Sequence, residues 1–159
     1  MSQSDGSGRN LAVNAAFLKD IKDDNRRLKE LLDDIQGITN HAQVAANHWQ
    51  QFVDRLQELC DQLAFHFSLE EAYGYFDEAV EVQPQQSVLA NRLRDEHPKL
   101  FAEIRDLADR VGDMDPTNEE KVTAALDHYA TFYRRFSIHE ESEVKMILAS
   151  LDDDIGVGD

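Results

Sequence analysis

Two pairs of His and Glu residues with the same spacing are the part of this sequence best suited to chemistry. The pairs are His66 with Glu70 and His139 with Glu143. On an α-helix, residues four positions apart lie on the same face, about one turn (~5.4 Å) apart. An imidazole and a carboxylate that point the same way can bind one metal ion or bridge two. The chemistry therefore depends on whether these faces point into a core or towards water.

The apolar residues that precede the first pair indicate that it points inward. Along residues 42–76, hydrophobic residues recur at steps of three or four, which is the periodicity of an amphipathic helix. The members of this stripe are Trp49, Phe52, Leu56, Leu59, Leu63, His66, Glu70 and Tyr73. His66 and Glu70 thus replace two core residues, and buried groups of this kind are costly unless they are paired or ligated.

Three further stretches show the same periodicity and predict three more helices. They cover residues 11–36, 87–111 and 117–151. The stripe of the first includes Asn25, that of the second includes His97, and that of the last continues through His139 and Glu143. Pro98 follows His97 directly, so we expect a kink or a delayed start of that helix.

Four helices with short connections predict an all-α fold, an antiparallel up-down four-helix bundle. Gly37 is expected to end the first helix, and Thr117 with Glu120 has the form of a capping box for the last. The predicted organisation is a disordered tail over residues 1–10, the bundle over residues 11–151 and an acidic C-terminal tail over residues 152–159.

In such a bundle, the polar members of the stripes converge on one layer of the core. Two similar helix pairs each contribute one polar core residue followed by a His–Glu pair. The candidate metal ligands are His66, Glu70, His97, His139 and Glu143. Mixed imidazole and carboxylate ligation suits non-haem iron, with manganese and zinc as alternatives. The interpretation without metal is an acid-rich bundle that buries these five polar groups at one height by accident.

This order of residues resembles the hemerythrin-like (HHE cation-binding) family. The family pattern is a His on helix 1, His-x3-Glu on helix 2, a His on helix 3 and His-x3-Glu on helix 4. The most specific match is Leu63-x2-His66-Phe67-x2-Glu70-Glu71. The resemblance implies a four-helix bundle around two non-haem iron ions, with the His residues as terminal ligands and with Glu70 and Glu143 as bridges. The family includes oxygen carriers, sensors of oxygen or iron, and proteins tied to oxidative stress.

The sequence departs from the family pattern at helix 1, where Asn25 stands in place of His. A neutral amide oxygen is a poor substitute for imidazole, so Asn25 would ligate weakly or hold a water molecule. The centre could then be open and reactive, could hold its second ion poorly, or could be degenerating. Tyr73, one turn beyond Glu70, is a possible hydrogen-bond donor to the ligands or a core residue.

The remaining titratable residues near the stripes are expected to be ordinary. Glu71, Glu140 and Glu141 lie next to the ligands in sequence but point off the stripe, so we expect them at the surface. His128 lies about 16 Å from His139 along the helix axis, which is too far to share a metal ion. His48 is farther still from His66.

Composition limits the partners of the chain. Its 159 residues suit one domain, and a net charge of −16 argues against nucleic acid and anionic membranes, both of which are polyanions. No apolar run approaches the ~20 residues of a membrane helix, and residues 1–10 do not resemble a signal peptide. The single cysteine, Cys60, excludes an internal disulfide, so we expect a cytoplasmic protein.

Three classes of function fit these observations. A binding module would hold O₂, or sense O₂, iron or redox state, with metal ions as its partners and no protein partner indicated. An enzyme would use an open iron position for oxidase or peroxidase chemistry. A structural bundle would bind nothing. The sequence contains no nucleophile triad and no phosphate-binding loop, so it assigns no catalytic residue and leaves the question of enzyme activity open.

Overall fold

The structure, a computed structural model, describes the backbone of residues 5–72 and 84–157 and the side chains of residues 19–72 and 85–149. Within these ranges the chain forms five α-helices and one short 3₁₀ turn, Pro84–Gln86. The α-helices are α1 (Asp5–Thr39), α2 (Ala42–Asn47), α3 (Trp49–Ala72), α4 (Ser87–Gly112) and α5 (Glu119–Val157). The prediction of an all-α fold is confirmed.

The four long helices form an antiparallel up-down bundle. Helix α1 packs against α3, α3 packs against α4, and α4 packs against α5, while short α2 contacts α1 and α5. The connections between α1 and α2 and between α4 and α5 are short, so these helices reverse direction and remain neighbours. None of the described helices is both long and apolar enough to cross a membrane.

The second predicted helix, 42–76, is divided into α2 and α3 at His48. The backbone of His48 has φ −119° and ψ 35°, which lies outside the helical region. The side chain of Trp49, directly after the break, donates a hydrogen bond from Nε1 to the carbonyl oxygen of Val111 (3.2 Å). This contact ties the start of α3 to the end of α4. Residues 73–76 lie outside the described residues.

The predicted stripes of α3 and α4 are buried as expected. Phe52, Leu56, Leu59 and Leu63 of α3 are each 0% exposed. The buried stripe of α4 comprises Leu93, His97, Leu100, Ile104, Leu107 and Val111. Helix α4 begins at Ser87 without delay and continues through Pro98, so Pro98 does not displace His97 from the core.

The stripe predicted for α1 is wrong by one residue. Asn25 is exposed, whereas Asp24 is buried and shares its helix face with Leu28 and Leu31. Two helical faces fit the apolar residues of α1 equally well, because both include Leu28 and Ile35. The observed face includes Leu31, which is more deeply buried than the half-buried Leu32 of the expected face.

Helix ends also differ from the expectations. Helix α1 begins at Asp5 and continues past Gly37 to Thr39, and α5 continues to Val157, so both include residues expected in tails. No proline interrupts these segments, and each added helical residue gains a backbone hydrogen bond. Residues 1–4 and 158–159 lie outside the described residues, and the limits of the bundle domain at residues 11 and 151 stay a prediction.

Asn118 caps α5 in place of the predicted capping box. The backbone N–H of Lys121 donates to Asn118 Oδ1 (3.1 Å), which satisfies one of the free N–H groups at the helix start. The hydroxyl of Thr117 donates instead to Asp115 Oδ1 (2.8 Å). The turn before α5 is therefore built by Asp115 and Thr117, and the helix begins one residue after Asn118.

Candidate metal centre

The fold brings five predicted site residues together in the core of the bundle. Helix α3 supplies His66 and Glu70, α4 supplies His97, and α5 supplies His139 and Glu143. All five are buried, and the most accessible of them, Glu70, is 8% exposed. The stripes are responsible for this arrangement, because each of these residues occupies a position on the apolar face of its helix.

The cluster divides into two overlapping groups of potential ligands. The first group is Glu70, His97, His139 and Glu143, and the second is His66, Glu70, Glu140 and Glu143. In each group, one ligand atom of every residue lies within 4.8 Å of the others. Ligands on opposite sides of one transition-metal ion stand about 4.0–4.4 Å apart, given bonds of about 2.0–2.2 Å. Glu70 and Glu143 belong to both groups, so the two groups share two carboxylates.

The first group surrounds the ring of His97. Its Nε2 lies 3.0 Å from Glu70 Oε2 and 3.1 Å from Glu143 Oε1. His139 Nε2 contacts the same Glu143 oxygen from within α5. Both imidazoles thus direct Nε2 at the shared carboxylates.

The second group surrounds His66. Its Nε2 lies 2.8 Å from Glu70 Oε1, within α3, and 2.8 Å from Glu140 Oε1 of α5. Glu140 is half-buried and does not lie at the surface position expected for it. The carboxylate of Glu140 therefore belongs to the centre, although the sequence pattern of α5 directs it off the stripe.

The outward-facing nitrogen of each imidazole contacts a carboxylate outside the two groups. Asp24 Oδ2 lies 2.5 Å from His66 Nδ1, Glu71 Oε1 lies 3.2 Å from His97 Nδ1, and Glu96 Oε1 lies 3.1 Å from His139 Nδ1. A proton on Nδ1 that is donated to a carboxylate leaves the Nε2 lone pair available and fixes the ring. These three outer carboxylates orient the potential ligands.

Aromatic rings close the apolar side of the centre. Phe67 stacks on His97 with ring centroids 4.2 Å apart and an interplanar angle of 13°. It also meets His139 edge to face at 6.0 Å. Phe136 packs against His66 at 6.2 Å. The polar cluster is therefore bordered by the apolar core that fills the rest of the bundle.

The buried carboxylates favour the protonated imidazoles. Burial alone would lower the pKa of His66, but its contacts with the carboxylates, that to Asp24 foremost, outweigh burial and raise the pKa. The same balance raises the pKa of His97 to about 10, with Glu143 as its main partner, and also raises that of His139. A metal ion at this centre must therefore displace protons.

The two shared carboxylates differ in their acidity. Burial opposes ionisation of Glu70, but its close contacts with the imidazoles of His66 and His97 outweigh burial and lower the pKa of Glu70 to about 2. Burial raises the pKa of Glu143, and its contacts with His139 and His97 offset the effect only in part. Two carboxylates this close repel each other, so a cation between them would be stabilising.

Two buried atoms indicate that the residues fit a metal ion. Among the described residues, Glu70 Oε2 and His139 Nε2 have no hydrogen-bond partner, although each lies close to another polar atom. Buried polar atoms without partners are rare. Here both are directed at the space shared by the ligands. Imidazole and carboxylate donors in this mixture suit iron, manganese or zinc.

A cavity of about 90 Å³ leads to the second group. Apolar side chains of α1, α3 and α5 line its walls, namely Ile21, Leu69, Val144 and Ile147. Its polar lining includes His66, Glu70 and Glu140, with Asn25 at the exposed rim. A small molecule could reach the second group by this route.

Sequence reasoning missed Asp24 and Glu140. The buried positions of α1 lead to Asp24, four residues before Leu28, so comparing both possible faces would have found it. Glu140 follows His139 directly, and no periodic signal distinguishes it from an exposed Glu. Asn25 does not join the cluster, and Tyr73 lies outside the described residues.

Comparisons with known proteins agree with this geometry. No curated protein and no solved structure matched the chain. The model of the Hemerythrin HHE cation binding domain family matches residues 16–148, which is most of the chain and includes both groups of ligands. The chain therefore belongs to the hemerythrin HHE cation-binding family.

Proposed function

We propose that the protein binds two non-haem iron ions in the bundle core and uses them to bind or sense O₂, iron or redox state. The observation that carries this proposal is the sharing of Glu70 and Glu143 between the two groups of ligands. Two ions bridged by two carboxylates would neutralise a cluster that is otherwise strongly acidic. Membership of a cation-binding family supports the same proposal.

Each residue has a defined part in this proposal. His97 and His139 would be terminal ligands of one ion, and His66 would be a terminal ligand of the other. Asp24, Glu71 and Glu96 would hold the Nδ1 protons, so that every Nε2 faces the centre. Loss of these carboxylates would free the rings to rotate and would weaken metal binding.

The surroundings would control access to the centre. When bound, a pair of iron ions supplies the electrons for reversible O₂ binding or for a response to redox state. Phe67 and Phe136 exclude water from the apolar side. The cavity beside Glu140 admits small molecules from the other side, and its apolar walls favour an uncharged ligand such as O₂.

Anaerobic loading with Fe²⁺ tests the proposal. The purified protein is loaded under nitrogen, freed of excess metal and analysed for iron content, and its absorption spectrum is then compared under nitrogen and under air. We expect up to two iron ions per chain and a reversible change of the spectrum on exposure to air.

The comparison protein is Glu143→Ala, which removes a residue common to both groups. Iron content near zero in the original protein would overturn the proposal in favour of a structural bundle. Continuous consumption of O₂ with a reductant present would favour the oxidase alternative.

A further inference from the structure

The carboxylate of Glu140 occupies a position that no periodic pattern explains. It lies 2.8 Å from His66 Nε2, on a helix that also supplies His139 and Glu143. Consecutive residues on an α-helix differ in direction by about 100°, so His139 and Glu140 face different neighbours. His139 points to the first group of ligands and Glu140 points to the second. One helix thus contributes to both groups, which form the two halves of the centre.

The nitrogen that Glu140 approaches is already in contact with another carboxylate. Glu70 Oε1 also lies 2.8 Å from His66 Nε2. An imidazole nitrogen carries one proton or one lone pair, and it cannot form two full hydrogen bonds. Glu70 is more than nine-tenths buried, and its Oε2 has no hydrogen-bond partner among the described residues. Such crowding of donor atoms is expected where a cation belongs between them.

The neighbouring residues Asp24 and Asn25 of helix α1 do not occupy the position that Glu140 takes. Both oxygens of Asp24 are engaged elsewhere, because Gln62 Nε2 donates to Oδ1 (2.6 Å) and His66 Nδ1 lies 2.5 Å from Oδ2. Asn25 is exposed at the rim of the cavity. Neither residue places an oxygen among the ligand atoms of the second group, whereas Glu140 does.

We propose that Glu140 is a metal ligand and that it gives the two halves of the centre different relative affinities for cations. This inference rests on the proposed function, in which the centre holds two ions. The first half offers two imidazoles and two shared carboxylates, and the second offers one imidazole and three carboxylates. Oxygen-rich sites suit harder cations such as Mn²⁺, whereas imidazole-rich sites suit Fe²⁺, Co²⁺ and Zn²⁺. The half that contains Glu140 therefore has the stronger relative preference for Mn²⁺.

The test compares Glu140→Gln with Glu141→Gln. Both variants remove one negative charge from neighbouring positions of α5, but Glu141 is exposed and pairs with Lys145 (3.3 Å). The metal-free proteins are titrated with Mn²⁺ alone, and free Mn²⁺ is measured by electron paramagnetic resonance. We expect Glu140→Gln to weaken the binding of one Mn²⁺ per chain by about ten-fold or more, and Glu141→Gln to leave both unchanged.

A third variant, Glu140→His, tests the selection of the cation. It replaces an oxygen ligand by an imidazole, so it should lower the affinity of the second half for Mn²⁺ relative to Co²⁺. Titrations with each metal give this ratio, and circular dichroism checks that every variant remains helical. A ratio equal to that of the original protein would overturn the proposed selectivity.

The outcomes separate this inference from the proposed function. If the original protein binds two ions and Glu140→Gln binds Mn²⁺ equally well, Glu140 is not a ligand, while the two-ion centre stands. If Glu141→Gln weakens Mn²⁺ binding as much as Glu140→Gln, the effect is one of overall charge and the inference fails. If the original protein binds no ion, both proposals fail.

Discussion

Asp24 Oδ2 lies 2.5 Å from His66 Nδ1, and this contact is how helix α1 takes part in the centre. Asp24 is held in turn by Gln62 of α3. A buried carboxylate on the far nitrogen of an imidazole fixes the tautomer and the direction of the ring. Helix α1 therefore orients a potential ligand, and none of its described residues belongs to either group.

Asp24→Asn should weaken metal binding without abolishing it. An amide can still accept a hydrogen bond from His66, but it lacks the charge that fixes the ring, and the loss of such a partner typically costs about 10–100-fold in affinity. The measurement is the metal affinity of the variant by competition with a chelator. The matched control is Asn25→Ala, at the exposed neighbouring position, which should bind metal as the original protein does. Equal losses in both variants would contradict this role of Asp24.

Glu143→Ala should remove both ions, whereas His139→Ala should remove one. Glu143 belongs to both groups of ligands, but His139 belongs to the first group alone. Metal analysis after anaerobic loading gives the number of ions retained by each variant. His48→Ala serves as the control, because His48 is exposed at the break between α2 and α3. Retention of both ions by Glu143→Ala would show that Glu143 is not a ligand shared by the two groups.

The metal-free protein should lose stability as the pH rises from 6.5 to 10. The pKa of His97 rises from 6.5 to about 10 on folding, because Glu143 and the other carboxylates outweigh the effect of burial. The folded state therefore holds a proton that the unfolded state releases. The resulting stabilisation is complete below pH 6.5 and is lost as the pH passes through about 10. Thermal unfolding across this range measures the effect.

Metal binding should strengthen over the same range of pH. The proton on His97 competes with the ion, so each ion bound at low pH releases protons into a weakly buffered solution. A pH indicator measures this release. An affinity independent of pH would show that His97 is not a ligand.

Cys60 should resist alkylation in the folded protein. Its side chain is 1% exposed, and burial raises the pKa of its thiol from 9.0 to about 11, with partial compensation by Arg105. The thiolate is the reactive form, so both access and ionisation are suppressed at neutral pH. Mass spectrometry after iodoacetamide treatment should find modification only in denaturant. Rapid modification of the native protein would contradict the burial of this residue.

Phe52→Ala should destabilise the bundle by about 3–5 kcal/mol, the usual cost of truncating a buried aromatic residue. Phe52 is 0% exposed, lies 5.2 Å from the ring of Trp49 and meets Tyr129 edge to face. Urea denaturation of the metal-free protein measures the change in free energy of unfolding. Val88→Ala is the control, because Val88 is 78% exposed. A cost below about 1 kcal/mol would show that the core can collapse around the deletion.

The contributions of α3 and α5 could be predicted from the sequence because the apolar residues of each helix are numerous and define a single face. Leu59 and Leu63 lead to His66, and Phe132 and Phe136 lead to His139, so the direction of each His–Glu pair follows from its helix. Both His–Glu pairs are buried in the structure, as these directions predict. Long and regular stripes thus position side chains reliably.

The sequence was misleading where two helix faces fit the apolar residues equally well. It was also insufficient where contact between helices determines the position of a side chain. The faces of α1 through Asn25 and through Asp24 share their central leucine, and the choice depends on the pairing of Asp24 with His66 across two helices. Glu140 joins the cluster through its contact with α3. Neither contact is encoded in a local pattern. The break at His48 likewise has no proline or glycine to mark it.

Phe67 packs against the rings of three imidazoles, and these contacts bear on the rate of metal binding. Its ring stacks on His97 and packs against His66 and His139. The rotamers of these side chains are therefore fixed when the bundle folds, and their conformational entropy is lost before any ion arrives. Capture of an ion then requires diffusion, dehydration and displacement of the imidazole protons, but no search among side-chain conformations. One ion can replace another on the time scale of its own dissociation.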